Sequence, residues 1–105
     1  MALTVLTNNP KGLLAAIYKG IDDGNIDTWG YDKDGDFTHT PTQWKDKAWL
    51  KPDAGDQLRF KIIGQKSVPL SKEIYAVYHG RFSEMLLAHF DDRLTAVTAS
   101  PKSSA

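Results

Sequence analysis

Cysteine is absent from the 105 residues. Disulfides, thiolate-bound metals and a cysteine nucleophile are excluded at once. An excess of one charge is also lacking, since thirteen Lys and Arg balance thirteen Asp and Glu. Duplex nucleic-acid binders usually carry a basic excess, because phosphate neutralisation supplies much of their affinity. Neutrality weakens that reading and leaves room only for a local basic patch. No apolar run approaches the ~20 residues needed to span a bilayer. Residues 1–9 lack a basic segment followed by a long apolar core, so they do not read as a secretory signal. A cytoplasmic protein with no membrane segment is expected. Catalytic signatures are missing too: there is no Gly-x-Ser-x-Gly elbow, no phosphate-cradling glycine loop and no His-x-x-x-His pair.

What is present is an ordinary globular composition, 41% hydrophobic and 25% charged. At this length one core can form without staples. A single domain over residues 1–105 is expected, with an ordered core over about 3–99 and a frayed tail at 100–105.

Leu3 to Leu6 read as a short strand or an arm packed on the core. Asn9 before Pro10 is a strong helix start, an N-cap followed by the residue best tolerated in the first turn. Leu13, Leu14, Ile17, Tyr18 and Ile21 then make one apolar stripe, and the helix should run to about Asp22 with Gly24 as its stop. Strands are expected at Ile26–Tyr31 and Phe37–Thr40, joined by an Asp-Gly turn, and at Lys47–Lys51 and Gln57–Ile63, joined through residues 52–56. Leu70, Ser71 and Tyr75 fit N′, N-cap and N4 of a second helix over Lys72 to about Phe90. A last strand lies between Arg93 and Ala99. The order α-β-β-β-β-α-β, without strict alternation, predicts an α+β fold. Two hairpins and a C-terminal strand would make an antiparallel sheet of four to five strands, with both helices on one face.

Two surfaces stand out. In the second hairpin, Leu58, Phe60 and Ile62 alternate with Arg59 and Lys61, the pattern of a half-buried strand. If the even-numbered residues meet the helices, Trp29, Trp49, Arg59 and Lys61 can look outward together. Aromatic and basic groups so interleaved suit single-stranded nucleic acid or a protein partner; the alternative is that Trp29 and Trp49 are simply buried, by the terminal strand, the Leu3–Leu6 arm or Trp44. A one-residue slip would reverse every side chain. In the second helix, Ala76, Gly80, Ser83 and Leu87 form a strip of small residues beside one leucine. Mid-helix glycine costs about 1 kcal/mol relative to alanine, so close approach of another backbone is expected, from the first helix or from a second copy of the chain.

Residues with chemical potential are few. His89 is placed in the middle of the second helix's apolar face, His79 at its edge, and His39 in a strand. Asp32, Asp34 and Asp36 match the first oxygen ligands of a calcium loop, but glycine stands fourth instead of sixth and Gln43 occupies the twelfth position. An ordinary acidic turn is expected, and neither a metal site nor a cofactor. The sequence reads best as a non-enzymatic interaction module that self-associates or meets an unidentified protein. A single-stranded nucleic-acid binder, or a small enzyme with His79 or His39 beside a cleft, are the alternatives.

Overall fold

The computed structural model describes residues 2–102. It is an α+β fold, with elements β1 (Ala2–Leu6), α1 (Pro10–Asp22), β2 (Trp29–Tyr31), β3 (Phe37–His39), β4 (Ala48–Ala54), β5 (Leu58–Gly64), α2 (Lys72–Phe90) and β6 (Ala96–Ala99). A single 3-10 turn, Asp91–Arg93, follows α2. The order is the expected one with a strand added at the front. All six strands join one antiparallel sheet in the order β2-β3-β4-β5-β1-β6. The sheet therefore has six strands, not four to five. The Leu3–Leu6 segment is no arm. It pairs with β5 on one side and β6 on the other, with Leu3 and Val5 fully buried.

Both helices start as their sequences require. The Asn9 side chain accepts from the Gly12 amide and Ser71 from that of Ile74, so each satisfies a donor with no partner in the first turn. Gly24 takes a left-handed φ of +79° where α1 ends. Leu13 and Ile17 of α1, and Tyr75, Tyr78, Phe82, Met85 and Leu86 of α2, are buried on the same sheet face as Leu3, Leu50, Leu58 and Phe60. Phe82 centres this core, with its ring 4.7 Å from Phe60, 4.8 Å from Trp29 and 5.4 Å from Phe37. Across the same layer, Tyr18 of α1 stacks on Phe37 at 4.9 Å.

Three local expectations need correcting. Residues 26–28 lie outside the ladder, so β2 is only three residues long. The β4–β5 strands run further than expected: Pro52 and Asp53 are still paired, and the turn is confined to residues 55–57. Beyond Leu50, β4 has lost its β3 neighbour, and proline is tolerated on such an open edge. The tail is partly anchored, because the Tyr75 hydroxyl donates to the Ser100 carbonyl. Residues 103–105 of that tail lie outside the described residues.

The histidines exchange roles. His79 is buried and stacks on Tyr75 at 4.0 Å, whereas His89 is exposed. The last turn of α2 lies beside Asn25 and Ile26 of the preceding connection, which leaves His89 outside the core. His39 and His79 each donate from Nδ1 to a carbonyl, that of Thr28 at 2.7 Å and that of Tyr75 at 2.8 Å. Burial lowers both imidazole pKa values below the ordinary 6.5, against the pull of those carbonyls. The folded chain then keeps both rings neutral at a pH where the unfolded chain protonates them. The unfolded state binds more protons below about pH 6.5, so stability must fall as pH falls through that value. The urea midpoint should be flat above about pH 7 and decline toward about pH 5. A His39→Asn/His79→Asn variant should show a shallower decline; an equal slope would mean that other groups carry the dependence.

Candidate functional site

The sheet has one face under the helices and one face with none. Cross-strand partners share a face, so the pairs Trp49–Ile63, Lys51–Lys61 and Asp53–Arg59 point away from the buried pair Leu50–Ile62 and from the buried Leu58 and Phe60. Thr4 lies opposite Arg59 on β1 and opposite Thr98 on β6, which extends the open face across four strands. Trp49, Arg59 and Lys61 therefore come together as expected, and Lys51 joins them. Trp49 is half-buried, and the three cations are exposed.

Trp29 does not belong to this face. It lies opposite His39, as Tyr31 lies opposite Phe37, and Phe37 lies opposite the buried Leu50. That register turns Trp29 toward the helices, where it is 2% exposed with its ring edge-on to Tyr78 and Phe82. Strand alternation alone does not reveal this, because the parity of β2 is set through β3 by a single pairing with β4.

On α2, Ala76, Gly80 and Leu87 are exposed, and the half-buried Ser83 returns its hydroxyl to the His79 carbonyl at 2.7 Å. The first helix does not pack here; it lies against β2, β4 and β5. A Cβ added to Gly80 would meet nothing within 4 Å. Leu87 is 53% exposed. Beside this strip runs a mainly apolar groove of about 570 Å³, walled by Tyr75, Ala76 and Gly80 of α2 and by Ala99 to Lys102. The buried Nε2 of His79, whose ring also lines the groove, has no hydrogen-bond partner.

A second hollow, of about 310 Å³, brings His39 together with Asp27, Thr28, Arg81, Glu84 and His89. His39 is buried here: the Thr28 carbonyl holds the proton on Nδ1, so Nε2 is the bare nitrogen, an acceptor in a neutral ring. Arg81 and Glu84 pair loosely at 3.4 Å on the exposed rim. Such a hollow can accept a hydrogen bond, and with Asp27 and Glu84 against the single Arg81 its lining does not favour an anion. Its lining holds the Thr28 hydroxyl and the Asp27 and Glu84 carboxylates, and among the described residues no hydrogen bond joins any of these side chains to the His39 ring. The sequence gives no sign of this grouping, because His39 and Arg81 meet only through the packing of α2 on β3.

Comparison of the chain with protein-family models, with curated proteins and with solved structures gives no match. Among the described residues no helix is long and apolar enough to cross a membrane.

The open face carries a testable electrostatic tension. Lys51 and Lys61 are direct cross-strand partners, and like charges so placed are destabilising. A Lys61→Glu variant should be more stable than the parent by roughly 0.5–1 kcal/mol in urea unfolding. An unchanged or lower stability would show that the two side chains do not face one another.

Proposed function

We propose that this chain is a non-enzymatic interaction module that pairs with a second copy of itself through the outer side of α2. The observation that carries this reading is the strip of Ala76, Gly80, Ser83 and Leu87, exposed except at the half-buried Ser83 and with open space where a Gly80 side chain would stand. At 100° per residue these four positions fall within about 60° of one another. In an antiparallel pairing about a two-fold axis between Arg81 and Phe82, Leu87 of each helix stands over Ala76 of the other, and Ser83 over Gly80. Large then meets small at each level, as an isologous contact requires. The apolar groove beside Ala76 offers room for the incoming leucine.

The open sheet face is a poorer self-interface, because Lys51, Arg59 and Lys61 would confront their own copies. The same cations favour a second reading, binding of single-stranded nucleic acid across that face with Trp49 as the stacking residue. With Trp29 buried, one aromatic remains where such platforms commonly offer two or three. Quenching of tryptophan fluorescence by an oligonucleotide, weakening steeply with salt, would favour this second reading. As an enzyme, the chain would use the His39 hollow, which supplies convergent polar groups but no nucleophile hydrogen-bonded to the histidine.

Self-association is tested by light-scattering mass across a concentration series. Twice the 11.7 kDa of the single chain is expected at high micromolar concentration. Leu87→Arg should return the mass to that of one chain while changing monomer stability by less than about 0.5 kcal/mol, since the residue is exposed. Gly80→Ala separates the two effects: it should stabilise the monomer by roughly 0.5–1 kcal/mol and yet weaken the dimer. A monomeric mass throughout the series rejects the proposal.

A further inference from the structure

The turn joining β2 to β3 holds three carboxylates that the fold draws to one point. Asp32, Asp34 and Asp36 each offer an oxygen, and these three atoms lie within 4.8 Å of one another. That span is about twice a Ca²⁺–oxygen distance of roughly 2.4 Å, the largest separation that two ligands of one calcium ion can have. Acidic turns are common on protein surfaces, so convergence alone is insufficient. The independent observation is Asp36. This residue is only 8% exposed, and its Oδ1 is buried with no hydrogen-bond partner. An ionised oxygen in that position is expensive unless a cation or a proton meets it.

The surroundings hold the loop ready. Asp32 Oδ1 accepts from the amides of Asp34 and Asp36, both at 3.0 Å, which leaves its second oxygen for a ligand. The Tyr18 hydroxyl donates to the Gly35 carbonyl at 2.6 Å and ties the turn to α1. Lys51 stands near enough to act on the Asp36 carboxylate. Lys51 is exposed and can turn away into solvent. We infer that Asp32, Asp34 and Asp36 form a divalent-cation site in the β2–β3 turn, suited to Ca²⁺. Three carboxylates with the remaining positions filled by water fit the looser oxygen shell of calcium better than the strict octahedron of magnesium. With two of the three ligands exposed, affinity belongs at the weak end of calcium sites, about 10⁻⁴–10⁻³ M.

The experiment is a titration of the full chain with CaCl₂, followed by ¹⁵N amide shifts and by thermal unfolding against an EDTA reference. Saturable shifts confined to residues 32–37 are expected. The unfolding temperature should rise by roughly 5–10 °C at a calcium concentration about ten times Kd, with a smaller rise in MgCl₂. Asp34→Asn, at an exposed position, should unfold at the parent temperature in EDTA and lose both responses. Asp36→Asn should lose them as well, and in EDTA it should be at least as stable as the parent, because it removes an uncompensated buried charge. Flat titrations up to about 20 mM, or non-saturating shifts spread over many acidic residues, would overturn the site. So would calcium responses that survive in both variants.

Discussion

The packing of Phe82 against three strands at once is the contact on which the arrangement depends. Its ring meets Trp29 on β2, Phe37 on β3 and Phe60 on β5. Because Phe82 occupies a single angle on α2, seating it on the sheet fixes the rotation of the whole helix. Tyr75, Tyr78 and Leu86 must then turn inward, and Ala76, Gly80 and Leu87 must turn out. The same ring also holds Trp29 in place, which anchors a β2 strand of only three residues. Truncating an aromatic at such a centre typically costs about 3–5 kcal/mol, a large share of a small domain's stability.

Polar groups inside this layer are few and are handled in two ways. Tyr78 donates its hydroxyl to the Trp44 carbonyl and lies 3.0 Å from Thr38 Oγ1, so a buried phenol is fully used and ties the long 40–47 connection to α2. His39 and His79 each satisfy Nδ1 with a carbonyl and stay neutral. The second nitrogen of His79 and the indole nitrogen of Trp29 are buried without partners. Each such group costs about 1–3 kcal/mol, so the dense aromatic packing must offset them. That cost falls beside the α2 groove and inside the β2 hairpin, and not in the β4–β5 ladder, where hydrogen bonding is continuous.

Elements with local signals were legible. Asn9-Pro10 and Leu70-Ser71 mark helix starts by capping chemistry within a few residues, and both helices have the expected bounds. The parity of Leu58, Phe60 and Ile62 is likewise a property of one strand, and with it the outward set of Trp49, Arg59 and Lys61. What escaped was set at long range. Leu3–Leu6 reads as a strand or an arm, and only Phe60, Leu58, Ala99 and Val97, brought beside Leu3 and Val5 from more than fifty residues away, decide for the strand. Trp29 follows the same logic: its face depends on the Phe37–Leu50 pairing, and extending β2 back to Ile26 gave no hint of it. His89 lies at an inward angle on α2 and is still exposed, because helical periodicity does not say where the sheet beneath it ends.

The parts of the molecule with functional potential lie on separate elements. The cationic face belongs to β4 and β5, the small-residue strip to α2, and the carboxylate cluster to the β2–β3 turn. They share no residue and no direct hydrogen bond, but Lys51 of the cationic face acts on the Asp36 carboxylate, so near-additivity is expected only between the small-residue strip and the other two. The core explains the separation. A single layer of helices leaves one sheet face bare, and one helix anchored by Phe82 leaves one helix side bare. The β2–β3 turn extends beyond the ladder, where side chains can crowd without disturbing packing. A larger domain would bury such surfaces against further elements of its own. Among the described residues there is no third layer to supply them. Exposed Leu87 and the facing Lys51 and Lys61 are thus tolerated by the fold without contributing to it, and their presence calls for an explanation outside the monomer's stability.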